Sequence, residues 1–177
     1  MSLENAKANL REFGKELNLE GLAFDENHTC ILGIDNTFSL HLTYEPNSDR
    51  LYLYSPILDG LPTDDATKLK LYEALLEGSM LGGQMAGGGI GVAVKEGLIL
   101  MHCVLEMGAG ADTSSLRRFA PLFVESVEKW RERAVKVVEG RDDPSDRQQF
   151  GGHPHPGGGP RPGGGDQPKP GDRFIKI

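Results

Sequence analysis

The sequence predicts an α+β domain in which an antiparallel sheet is flanked by helices. Three observations carry this prediction. Segments near the start and around residue 123 repeat apolar residues at helical steps of three and four. Short runs between them alternate apolar and polar residues, as half-buried strands do. These runs fall into a group of three and a group of two, separated by a further helical stretch, so strands and helices do not interleave one for one as a parallel sheet requires. The predicted order is helix, three strands, helix, two strands, helix.

The first helix is predicted over about residues 3–18. Leu3, Ala6, Leu10, Phe13 and Leu17 make one stripe, with Lys7, Arg11, Glu12, Lys15 and Glu16 elsewhere on the surface and Ser2 as a starting cap. Thr29–Ile34 reads as a strand and ends in Asp35-Asn36, residues that tolerate the positive φ of a tight hairpin. Thr37–Tyr44 alternates cleanly: Phe38, Leu40, Leu42 and Tyr44 face one way, Ser39, His41 and Thr43 the other. A turn at residues 45–49 leads into a third strand over Leu51–Leu58.

The second helix opens after Thr63, the expected cap, with Asp64 and Asp65 at the positive end of the helix dipole. Its apolar residues Leu69, Leu71, Tyr72, Leu75, Leu76, Met80 and Leu81 form a stripe too wide for one contact, so a second buried side is expected, provided by another subunit. The glycine-rich segment 82–89 then breaks the helix and is expected to be a flexible connection. Strands follow over Ile90–Val94 and Leu98–Leu105, joined by a turn at Lys95-Glu96-Gly97. Asp112 or Thr113 is the expected cap of a third helix, whose stripe is Leu116, Phe119, Phe123, Val127, Trp130, Ala134 and Val137, with Arg117, Glu125, Glu128, Lys129, Glu132 and Arg133 on its polar face.

At residue 141 the composition changes. Residues 141–177 hold 9 Gly and 7 Pro, too little apolar surface to offset the entropy of ordering, so this tail is expected to be disordered or polyproline-like. Phe174–Ile177 is the exception, a frayed end or a short strand. The domain boundary is therefore placed between 1–140 and 141–177.

Charge narrows the partners. Residues 1–140 hold 13 of the 19 basic and 21 of the 26 acidic residues, a net charge of -8. Such a body is repelled by nucleic acid and by anionic membranes. No segment approaches transmembrane length and no secretory leader opens the chain, so a cytoplasmic protein is expected. Cys30 and Cys103 sit alone in apolar strands, as small buried hydrophobes of a reducing compartment do.

No reactive constellation emerges. The glycines lack the Gly-Lys-Ser/Thr ending of a phosphate loop, and the spacing that starts at Gly87 or Gly89 puts Val92 or Val94 where a dinucleotide loop needs glycine. They also run from helix to strand, the reverse of that motif. His153 and His155 lack a third ligand, so no metal is expected. His41 and His102 stand apart from any acid or nucleophile. Asp59, Asp64 and Asp65 are better explained by a loop and a helix start than by acid–base chemistry. No catalytic residue and no cofactor are assigned.

With its element order, the segment Leu75-Leu-Glu-Gly-Ser-Met-Leu81 running into Gly83-Gln84, the hairpin Ile90–Val94 and Gly97–Leu100, and the last stripe Leu116, Phe123, Val127 and Trp130, the chain resembles the class I type III secretion chaperones, the Tir-chaperone (CesT-like) family, over about residues 3–138. The resemblance implies a bacterial cytosolic homodimer that binds the extended N-terminal region of a secreted effector, keeps it competent for export and uses neither ATP nor metal. It assigns the second helix to dimerisation, with Leu69, Tyr72, Leu75, Leu76 and Met80 as interface candidates. It assigns the first helix and the sheet to effector binding, with Leu10, Phe13, Leu17, Ile90, Val92, Leu98 and Leu100 as groove candidates. The secretion-apparatus ATPase is a further candidate contact. The tail departs from the family pattern. Acid-rimmed apolar grooves would suit a ligand with some basic residues. The competing reading is a regulatory module of the same fold that binds a folded cytosolic partner.

Overall fold

The computed structural model describes residues 2–19, 21–142 and 174–176. Helix α1 (Ser2–Glu16) leads to a meander of β1 (Thr29–Ile34), β2 (Phe38–Glu45) and β3 (Arg50–Asp59). Helix α2 (Asp65–Ser79) follows, then β4 (Gly89–Ala93), β5 (Leu98–Glu106), the long α3 (Ser115–Val138) and a short β6 (Phe174–Lys176). The strands form one sheet in the order β4-β5-β3-β2-β1-β6, every described pairing antiparallel. The predicted order of helices and strands up to residue 138 is the observed one. For residues 143–173 and 177, the expectation of a disordered tail falls outside the described residues.

The alternation of the strands sorts the two faces of the sheet. Leu40, Leu42, Leu51, Leu53, Ile57, Ile99, Met101 and Cys103 are buried with Phe13, Phe123, Val127 and Trp130 of the helices. Asp35 and Asn36 adopt φ of 47° and 56°, the left-handed geometry expected of this hairpin. Side-chain packing alone does not set the start of α3. Asn9, fully buried on α1, accepts a hydrogen bond from the Leu116 amide at 2.9 Å and donates to the Asp112 carbonyl at 3.1 Å. One polar residue thus satisfies a free donor of the last helix and ties it to the first.

Three local expectations change. Asp64, not Thr63, caps α2: its carboxylate accepts the Thr67 amide at 2.8 Å, and a carboxylate at that position also meets the helix dipole favourably. The glycine-rich segment is folded tightly rather than loosely. Gly82 accepts from the Met85 and Gly87 amides, and Met85 is fully buried beneath it. Gly88 passes so close to β5 that a Cβ would lie 1.9 Å from the His102 carbonyl oxygen. Arg133, placed by its sequence on the polar face of α3, is instead buried at 3% exposure, with its guanidinium 4.7 Å from the Trp130 ring and 3.6 Å from Asp142.

Candidate functional site

Three surfaces stand out on the single chain. The first is a groove of about 720 Å³ between α1 and the segment that follows it. Its apolar wall comes from Leu10, Leu19, Leu22 and Phe24, and Gly14 lets the segment pass close: a Cβ there would lie 3.0 Å from the Leu19 carbonyl oxygen. Lys7, Arg11 and Lys15, one helical turn apart, line the polar side. Lys7 pairs with Glu4 at 3.0 Å and Lys15 with Glu12 at 2.7 Å, both exposed pairs of small energetic weight. Among the described residues the charged side chains that line this groove are basic, whereas the sequence suggested an acidic rim.

Of the groove candidates, Leu10 lines this cavity. Phe13 and Leu17 do not appear among its walls. They are core residues, 1% and 3% exposed, because they occupy the inner side of the α1 stripe. Leu19, Leu22 and Phe24 also line the cavity, although they are not among the groove candidates of the sequence. Their signal was the apolar run that continues past the predicted helix end, and the four-residue spacing of Lys7, Arg11 and Lys15 was a second one.

The second surface is a stripe on α2. Leu69, Leu76 and Met80 are 58%, 71% and 70% exposed, with Tyr72 half-buried between them. Their spacing puts all four along one side of the helix. Leu75 is not part of it: at 2% exposure it points into the core of its own chain. Leu81, fully exposed with φ of 54°, caps the end of the stripe.

The third surface is the sheet face turned away from the helices. Thr43, Tyr52, Tyr54, Gly91, Leu100 and His102 outline a shallow, mostly apolar depression of about 360 Å³. His41 stacks on Tyr54 at 4.9 Å between ring centres, and Ser39 Oγ lies 2.8 Å from its Nε2. Burial pushes the His41 imidazole below its ordinary pKa. The register splits the remaining candidates. Gly91 faces Leu100 and Ala93 faces Leu98 on this outer side, whereas Ile90 faces Met101 and Val92 faces Ile99 on the helix side. Ile90, Val92, Leu98 and Leu100 therefore do not share one surface, because β4 and β5 turn alternate residues to opposite faces.

Among the described residues, no group of three or more His, Cys, Asp or Glu side chains is placed to hold a metal ion. His153 and His155 lie outside the described residues. Burial pushes the Cys103 thiol far above its usual pKa, so it is a packed hydrophobe rather than a nucleophile. Among the described residues no helix is long and apolar enough to cross a membrane.

The helices thus lie on one side of an antiparallel sheet, with an apolar groove along the first and an exposed apolar stripe along the second. The model of the Tir chaperone protein (CesT) family matches residues 8–131. The chain belongs to this family. A solved chain of the HopA1–SchA chaperone–effector complex is 28% identical, with a TM-score of 0.58 over 75% of this chain and 97% of that one. A chain of the ExsC–ExsE complex has the same fold at 16% identity, with a TM-score of 0.59 over 73% and 92% of the two chains. The Yersinia pestis type III secretion chaperone SycH, in complex with a fragment of YscM2, aligns at 18% identity and a TM-score of 0.49 over 70% and 98%. None of the curated proteins compared with the chain matches it. The CesT match runs from within α1 to within α3, so the α2 stripe, the outer sheet face and all of the α1 groove lining but Lys7 lie inside it.

Proposed function

We propose that this chain is a type III secretion chaperone that binds an extended N-terminal segment of an effector and keeps it competent for export, without catalysing a reaction. The observation that carries the reading is the α1 groove. It is open, with one apolar wall and one basic side, and its chemistry suits side chains of an unfolded segment rather than a small reacting substrate. Family membership and the likeness to a chaperone–effector complex at 28% identity support it. The basic side of the groove favours a segment in which Leu, Ile or Val anchors are flanked by Asp or Glu. The protein acts in the cytoplasm as a homodimer joined through Leu69, Tyr72 and Leu76 of α2 and Met80 just after it. A contact of the loaded complex with the secretion-apparatus ATPase belongs to the same proposal.

The test is calorimetry with N-terminal fragments, roughly 30–70 residues long, of the protein encoded beside this chain's gene. Binding at micromolar concentration, without nucleotide or metal, is expected. Leu19→Asp and Phe24→Asp, both at half-buried groove positions, should abolish it while leaving the far-ultraviolet circular dichroism unchanged. If no unfolded fragment binds, or if binding needs ATP, the proposal fails.

A further inference from the structure

The outer edge of β1 carries the short strand β6, and the backbone shows which groups face it. The His28 carbonyl accepts the Tyr44 amide at 2.9 Å, so the even-numbered residues of β1 direct their N–H and C=O groups at β2. Thr29, Ile31 and Gly33 direct theirs outward. Thr29 is already satisfied: its carbonyl accepts the Asp25 amide and its amide donates to the Asp25 carboxylate, each at 2.8 Å. Gly33 lies directly opposite Ile175 of β6, with Leu32 against Lys176 and Ile34 against Phe174. The alternation therefore makes the Ile175 N–H and C=O the groups that face Gly33.

An edge with free N–H and C=O groups is a template for any extended chain. Here one end of it is closed by the Asp25 turn and the other by the far end of the same polypeptide. We propose that residues 174–176 are an intramolecular cap on the β1 edge, and that an extended partner adding a strand there must first displace it. The cap itself follows from the strand pairing. The competition with a partner rests on the chaperone reading above. Three paired positions against the six of β1 with β2 make a cap that opens readily. It shields the edge from chance pairing and yields to a longer strand. A partner's apparent affinity is then lowered in proportion to the fraction of molecules with the edge open.

Hydrogen exchange on the full chain and on its Ile175→Pro variant tests the cap. Proline removes the one N–H that faces Gly33. The Gly33 amide should exchange about threefold faster or more in the variant, while Leu42 and Leu53 amides, deep in the sheet, keep their rates. Unchanged Gly33 protection overturns the proposal. A labelled peptide with the sequence of residues 172–177 should bind the variant about threefold more tightly than the unmodified chain, or better. Equal binding, or none to either, also overturns it. So does Gly33 protection that rises with protein concentration, because the strand would then come from a second copy. Effector fragments that bind neither protein would sink the chaperone reading and leave the cap intact, so the two failures are distinguishable.

Discussion

Gly78 and Trp130 show how a single residue decides whether α2 and α3 can meet. A Cβ at residue 78 would lie 2.0 Å from Cζ2 and 2.5 Å from Cη2 of the buried indole, whose Nε1 donates to the Gln84 carbonyl at 2.9 Å. Gly78→Ala should cost about 1–3 kcal/mol, a typical overpacking penalty, despite the better helix propensity of alanine. Urea denaturation measures it, and a neutral or stabilising effect would show that the indole has room to move. Asn9 is the polar counterpart. Asn9→Leu leaves the Leu116 amide and the Asp112 carbonyl without their buried partner, so a loss of about 1–3 kcal/mol is expected in the same measurement. His41 adds a pH dependence. Its pKa in the folded chain lies below the value of about 6.5 in an unfolded one, so the unfolded state takes up the proton first. Stability should fall as pH drops through that region, with the contribution fully present only above it. His41→Gln should flatten the stability profile between about pH 7 and pH 5; a profile unchanged by the substitution would remove His41 from the account.

At the scale of elements, α2 separates two roles that one stripe conceals. Leu76 and Met80 project from the chain, whereas Leu75, one residue from Leu76, is packed inside it. Leu76→Asp should convert a dimer to a monomer, measured by light scattering, with little change in the circular dichroism of the chain. Leu75→Asp should instead unfold it, because a charge without a partner in the core costs several kcal/mol. If Leu76→Asp leaves a dimer of full mass, the interface lies elsewhere. The same distinction applies on α1. Phe13→Asp, Leu17→Asp and Leu22→Asp are predicted to unfold the protein, so the groove must be probed at the half-buried Leu19 and Phe24. Helical periodicity reports that a residue is apolar and on a stripe. It does not report which side of a wide stripe faces the protein's own core.

For the whole molecule, the boundary between body and tail can be set by Arg133. This buried guanidinium lies 3.6 Å from Asp142, two residues beyond the boundary expected from composition. A chain ending after Asp142 should keep its stability within about 1 kcal/mol, whereas one ending after Gly140 should lose more, since it removes a charged partner from a buried cation. Equal melting temperatures for the two truncations would show that Asp142 contributes nothing. The net charge of -8 for residues 1–140 is likewise a property of the whole and not of the site. The groove on α1 presents Lys7, Arg11 and Lys15, so reversing the three to Glu should weaken an acid-flanked effector segment and leave one without acids nearly unaffected.

The sequence by itself determined the order of the elements, the inner face of β2, the positive-φ hairpin at Asp35-Asn36, the lack of a phosphate-loop signature and the resemblance to the Tir chaperones. These rest on local periodicity and backbone chemistry, which neighbouring residues carry without help. Only the tertiary structure decided that Phe13, Leu17 and Leu75 belong to the core, that Leu19, Leu22 and Phe24 wall the groove, and that Ile90 and Val92 lie on the opposite face from Leu98 and Leu100. It also decided that Arg133 is buried, that Asn9 holds the start of α3, and that residues 174–176 pair with β1. The burial of Arg133, the role of Asn9 and the pairing of residues 174–176 depend on segments far apart in the chain, whereas the β4–β5 faces and the groove wall depend on how neighbouring segments turn back on one another. Residues adjacent in space but not in sequence compete for the same apolar surface, and only the folded packing settles which of them cover it and which remain open to a partner.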